Sequence, residues 1–179
     1  MKIGLIGENP NDTTTVANLL KMKFNHQYVS VLKRRTGDQL ENEKFTRLLK
    51  SELKTNKYDV LIFIRDLDGF EGAVEKVKAR VGWFDKNSKL FNGDSFYLLN
   101  IHSLEAIFFA DVEGLNNFYN LDVRFRNPLL IDNPKDTLKR LTADKYHENK
   151  AAELMSKLNY DTVLKNYKPL EEIHNYFIE

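Results

Sequence analysis

The chain has 179 residues, 42% of them apolar and 30% charged, with a formal net charge of +1. That size suits one domain with at most a small appendage, and the near-neutral charge provides no global basic field announcing nucleic acid and no acidic field excluding it. No cysteine is present, which excludes disulfides, thiol nucleophiles and cysteine zinc sites together. Ile3 to Ile6 reads as a first strand, ending at Gly7-Glu8-Asn9-Pro10-Asn11-Asp12. A helix follows with Val16, Leu19, Leu20 and Phe24 on one face and Asp12 or Thr13 as its N-cap. Tyr28 to Leu32 form a second strand, and Lys33-Arg34-Arg35-Thr36-Gly37-Asp38 a loop. A helix through Phe45, Leu48, Leu49 and Leu53 leads to a third strand, Asp59 to Asp66. A helix through Ala73, Val77, Val81 and Phe84 comes next, then a polar link from Asp85 to Asp94. Phe96 to Ile101 is a fourth strand, and His102 to Asp111 continues as a helix.

Strands alternating with amphipathic helices imply crossover units, hence an α/β fold on a parallel sheet. From Leu121 onward the strand signal fades. Asn133-Pro134 opens a helix through Leu138 and Leu141, followed by helical patterns over Ala151 to Leu158, Thr162 to Tyr167 and Leu170 to Phe177. The expected organisation is an α/β core over residues 1–120 with a helical C-terminal cap, 121–179, packed on it. The amino-terminal apolar run is too short for a signal peptide and no later run reaches membrane-spanning length, so the expected location is cytoplasmic.

The third strand is an almost continuous apolar run, Val60 to Ile64, the pattern of a strand covered on both faces. It stops at Asp66-Leu67-Asp68-Gly69. In extended backbone the i, i+2 spacing puts both carboxylates on one side. Like charges about 4 Å apart repel by roughly 4 kcal/mol at a surface-like dielectric, and a divalent cation between them removes that cost. A solvated Asp-x-Asp-Gly turn explains the same four residues.

Open parallel sheets place their sites at the carboxyl ends of the strands. Glu8 follows the first strand, Asp66 and Asp68 the third, and Glu105 stands in the first helical turn after the fourth. In a 2-1-3-4 strand order these acids converge, and Asp12 lies one helical turn beyond Glu8. Oxygen donors without Cys or clustered His favour Mg²⁺ or Mn²⁺, the usual cations for attack on phosphate esters. Each residue has a plainer use. Glu8 and Asp12 suit the cap of the first helix, Glu105 a helix N-terminal charge, and His102 a capping or core-edge position. Lys33, Arg34 and Arg35 suit a phosphate contact or a solvated basic loop; with Lys135 and Arg140 they could also track a nucleic-acid backbone without selecting a base.

Gly7-Glu8-Asn9-Pro10-Asn11-Asp12 resembles the Gly-Glu-x-x-x-Asp opening of Toprim domains, and Asp66-Leu67-Asp68 resembles their Asp-x-Asp motif. Leu104 to Asp111 is similar to the Glu-Ala-Trp-Leu-Leu-Ala-Asp segment of a Toprim-like bacterial branch related to the OLD-family nucleases. Asn133-Pro134-Lys135 and Tyr167-Lys168-Pro169 also fit that branch, so the likeness spans nearly the whole chain. It implies a Toprim-like Rossmannoid sheet and a Mg²⁺- or Mn²⁺-dependent nuclease cleaving phosphodiester bonds in DNA or RNA. It implies Glu8, Asp66 and Asp68 as the acidic core, Asp12 and Glu105 as supporting ligands, and an ATPase partner chain in a defence or repair system. Asn9 stands where the family has glycine, Ile107 where it has tryptophan, and Phe70 where topoisomerases continue the aspartate series. Topoisomerase and primase activities are therefore not expected. Lys145 and Lys150 are candidate transition-state cations.

Two other readings remain. One is a Toprim-like scaffold that binds a partner or nucleotide without turnover. The other is a haloacid-dehalogenase-like phosphatase, with Asp66 as nucleophile and Gly93-Asp94 as its second acidic motif; Phe70 and the unexplained Glu8 fit it poorly.

Overall fold

A computed structural model of the chain describes residues 1–33, 36–70, 72–127 and 130–179. Four parallel strands, β1 (Lys2–Ile6), β2 (Gln27–Ser30), β3 (Val60–Asp66) and β4 (Asp94–Asn100), form one sheet in the order β2-β1-β3-β4. The two central strands are apolar because both of their faces are covered: β3 is buried along its length up to Asp66. The register sets Ile6 beside Phe63 and Asp66 beside Asn100, so the carboxyl ends of β1, β3 and β4 lie along one edge.

The period of two divides the strands between two cores. Ile3, Leu5, Ile62, Ile64, Phe96 and Leu98 pack on one face with α1 (Pro10–Lys21) and with Leu138, Leu154, Val163, Tyr167, Leu170 and Ile173 of the C-terminal third. On the other face Ile6, Leu61 and Phe63 meet Phe45 and Leu49 of α3 (Glu43–Thr55) and Trp83 of α4 (Val74–Ser88). Residues 121–179 thus share the core of the sheet. Their helices are α6 (Pro134–Leu141), α7 (Ala151–Met155), α8 (Tyr160–Asn166) and α9 (Glu171–Ile178), reached through α5 (Val112–Tyr119). Asp111 ties the two parts together, accepting from Gly114 N at 3.1 Å as the N-cap of α5 and from Asn159 N at 2.7 Å. Among the described residues no helix is long and apolar enough to cross a membrane.

Several local expectations need correction. The first helix is capped by Asn9, not by Asp12 or Thr13. Pro10 has its φ preset for the first helical position, which moves the start forward. The Asn9 side chain accepts from Asn11 N and Asp12 N, and Asp12 Oδ2 accepts from Asn9 N at 3.2 Å, a closed capping box. Phe24 lies past the helix end at Lys21. The end of the expected basic loop is a short helix, α2 (Gly37–Glu41). Helix α4 runs on to Ser88 and turns Trp83 and Asn87 inward, leaving Val74 and Val81 exposed. The indole decides this orientation: its Nε1 donates to Leu40 O at 2.8 Å while its rings fill the core beside Phe45 and Phe63. The segment after β4 is a 3₁₀ helix, Leu104–Ala110, buried throughout.

Candidate functional site

All five acids singled out in the sequence line one cleft of ≈ 740 Å³ at the carboxyl edge of the sheet: Glu8, Asp12, Asp66, Asp68 and Glu105. Glu8 is carried there by the turn after β1, Asp12 by the capping box of α1, Asp66 by the last position of β3, and Glu105 by the 3₁₀ segment. Asp132 and Glu148 also line the cleft, against His102 and Lys135 as its basic residues.

The aspartate pair is built differently from an extended Asp-x-Asp. β3 ends at Asp66, and Asp68 has φ 54° in the left-handed region, a conformation Asp tolerates better than most side chains. Backbone bonds to the neighbouring strand end hold it there: Leu67 N donates to Asn100 O at 2.9 Å and Asp68 N to His102 O at 3.0 Å. The two carboxylates reach the cleft from unlike backbone positions, and each has its own partner. Asn100 Nδ2 donates to Asp66 Oδ1 at 3.0 Å, whereas Arg80 Nη2 pairs with Asp68 Oδ2 at 3.0 Å.

Two arginines belong to the site that sequence reasoning gave no role. Arg65 precedes Asp66, so its side chain leaves the opposite face of β3, where it is 1% exposed and stacks over Trp83 at 4.8 Å. Its Nε pairs with Glu8 Oε1 at 2.8 Å and its Nη2 with Glu41 Oε1 at 3.1 Å. Arg80 of α4 joins the same network, pairing with Glu41 and donating through Nε to Asp66 O at 3.1 Å. These residues line a second cleft of ≈ 350 Å³ that shares Glu8 and Asp68 with the first. The only sequence signal for Arg65 is a charge inside an apolar run; such a residue is buried only when paired.

Charge is unevenly compensated. Burial and the carboxylates of Glu8, Glu105 and Glu148 push Asp12 up to about 7, against the opposing pull of its bond from Asn9 N. Asp66 is also held well above the usual carboxylate range, first by burial and next by Asp12, with the Asn100 amide working the other way. On the far wall Glu105 is 7% exposed and accepts from the Tyr146 hydroxyl at 3.0 Å. Lys135, at the start of α6, pairs with Glu148, and that bond raises its pKa. Lys135 is therefore the lysine at this cleft; Lys145 and Lys150 do not line it. The Pro134-Lys135 helix start was visible in the sequence, but Tyr146 lies in the connection after α6 and Glu148 opens a single 3₁₀ turn, Glu148–Lys150, neither of which gives a periodic signal. Lys33 is exposed and lines neither cleft, and Arg34 and Arg35 lie outside the described residues.

The donors for a cation are mostly carboxylate oxygens, with His102 the single histidine among the lining residues, a set that suits Mg²⁺ or Mn²⁺. Among the described residues no three His, Asp or Glu side chains stand together in metal-ligand geometry. The acids are spread along the cleft walls instead. Comparison of the chain with family models, curated proteins and solved structures returns no match.

Proposed function

We propose that the chain is a divalent-metal-dependent phosphodiesterase of the Toprim kind, a nuclease acting on DNA or RNA with Mg²⁺ or Mn²⁺. The observation that carries this reading is the charge of the cleft. Seven carboxylates line it, Glu8, Asp12, Asp66, Asp68, Glu105, Asp132 and Glu148, and Lys135 and His102 are its basic residues. A cleft so acidic repels a polyanionic backbone unless cations enter first, and it pushes its own acids towards protonation. A bound divalent cation supplies a Lewis acid for the phosphoryl oxygens and a more acidic water. Asp12, Asp66 and Glu105 would hold it, in part through the waters that Mg²⁺ keeps, with Glu8 and Asp68 at the border of the second cleft. Lys135 adds a fixed positive charge on the facing wall, and Arg65 and Arg80 pair with Glu8 and Asp68 and orient them. An ATPase partner chain in a defence or repair setting belongs to the same reading, through the resemblance alone.

A second reading, a binding scaffold without turnover, is favoured by one observation. Glu8 and Asp68, two of the three acids of the expected core, are engaged by Arg65 and Arg80. The phosphatase reading has less support: Asp94 opens β4 beside Val60, at the amino-terminal edge of the sheet, and accepts from Tyr176 at 2.9 Å.

The test is cleavage of supercoiled plasmid and single-stranded RNA with Mg²⁺ or Mn²⁺, wild type beside Asp66→Ala and Glu8→Ala. Cleavage by wild type alone is expected. Metal binding without cleavage by any form would favour the scaffold, and cleavage persisting in both variants would displace the site.

A further inference from the structure

Two phenols reach the acidic cleft from behind, and both come from the C-terminal third of the chain. Tyr167, at the end of α8, is 0% exposed, and its hydroxyl donates to Asn100 Oδ1 at 3.0 Å. Asn100, equally buried, closes β4 in register with Asp66 and donates to its Oδ1 at 3.0 Å. With Asp66 ionised, as metal ligation requires, its carboxylate only accepts, so the amide NH₂ faces Asp66, the amide oxygen faces Tyr167, and the phenol donates. Tyr146, 1% exposed, donates to Glu105 Oε1 at 3.0 Å. Packing alone does not call for either hydroxyl. Phenylalanine fills nearly the same volume, and a buried hydroxyl is costly unless its bond is made.

We propose that Tyr167, acting through Asn100, and Tyr146, acting directly, are positioning residues that fix the rotation of the Asp66 and Glu105 carboxylates towards a divalent cation in the cleft. The proposal rests on the metal reading above and adds a task for residues 121–179, which become the second layer of the site. One oxygen of each carboxylate is held by the bond from behind, and the carboxyl group then has a set orientation before any cation arrives. Partners of this kind typically change metal affinity or activity by about 10–100-fold when removed.

The experiment uses the full chain. Mn²⁺ affinity is measured by calorimetry for wild type, Tyr167→Phe and Tyr146→Phe, with circular dichroism as the check on folding. In the metal-free protein the Asn100 side-chain amide is followed by ¹H–¹⁵N NMR. Tyr167→Phe is expected to raise the Mn²⁺ Kd by about tenfold and to shift the Asn100 amide resonances. Tyr146→Phe is expected to weaken Mn²⁺ similarly while leaving that amide in place. Should Tyr167→Phe fail to fold, Asn100→Ala removes the next bond in the chain, from Asn100 Nδ2 to Asp66, and carries the same expectation for the Mn²⁺ Kd. Folded variants with a wild-type Kd, whatever their thermal stability, overturn the proposal. Wild type that binds no Mn²⁺ overturns the metal reading and this inference with it, an outcome visible before any variant is made.

Discussion

Replacing Asp12 by asparagine removes a charge and keeps the acceptor that closes the capping box, since Asn Oδ1 can take the Asn9 N–H in place of Asp12 Oδ2. Burial pushes Asp12 up from 3.8 to about 7 in the folded chain, and at ~1.4 kcal/mol for each tenfold change in proton affinity this sets an upper bound of ~4 kcal/mol. Asp12 keeps part of its surface in cleft water, and solvent screening reduces the expected effect to about 1–2 kcal/mol. The folded chain binds this proton more tightly than the unfolded one. Stability is therefore fully present below pH 3.8, falls as pH rises to about 7, and is flat above. Without divalent metal at pH 8, Asp12→Asn should be the more stable protein, by roughly 2–8 °C in Tm for a domain of this size. Near pH 4 the difference should vanish. Differential scanning calorimetry in EDTA at both pH values measures it, and added Mg²⁺ at pH 8 should stabilise wild type more than the variant. A variant less stable than wild type at pH 8, or a difference independent of pH, would refute the reasoning, because Asp12 would then not be an uncompensated charge.

Arg65→Met removes the cation that Glu8 and Glu41 share and leaves Glu8 at the cleft without its 2.8 Å partner. A loss of about 2–4 kcal/mol is expected in urea unfolding, and a change under 0.5 kcal/mol would mean that the network contributes nothing to stability. The Cβ added by Gly4→Ala would stand 2.6 Å from Leu61 Cδ2 and 3.0 Å from Tyr58 and Val31, so overpacking should cost about 1–3 kcal/mol in the same assay. Trp83→Phe deletes the bond to Leu40 O and the stacking under Arg65; a loss of about 1–2 kcal/mol, read by circular dichroism, is expected.

The sheet order and the acids at its edge were legible because they depend on local pattern. Apolar runs of strand length that end in Glu8 and Asp66, alternating with helical periods, restrict the chain to a few parallel arrangements, and 2-1-3-4 is the one found. What was hidden depends on contacts distant in sequence. The position of Asp68 is set by His102, and Asp66 is held by Asn100 and, behind it, Tyr167. No spacing within residues 66–69 carries that information. The face of α4 was partly misjudged for a related reason: periodicity counted Ala73, Val77, Val81 and Phe84 as the apolar stripe. The Trp83 indole, with a carbonyl to reach, turned inward instead and left Val81 exposed, with Phe84 keeping a place against the core.

The placement of the arginines also reorders the acids. By motif, Glu8, Asp66 and Asp68 form the core and Asp12 and Glu105 support it. In the folded chain the arginine ion pairs at the cleft go to Glu8, Glu41 and Asp68, all on the side of the second cleft. Asp12 and Asp66, which no described arginine pairs, are the two acids held towards protonation. Positive charge is thus supplied by the protein on one flank and lacking on the other. On the proposed metal reading, a cation would gain most beside Asp12, Asp66 and the buried Glu105, where it would displace protons and relieve repulsion at once. On that reading Asp12 belongs at the centre of the site rather than in support, and Asp12→Asn should weaken Mn²⁺ binding more than Asp68→Asn, because the Asp68 charge is already compensated by Arg80.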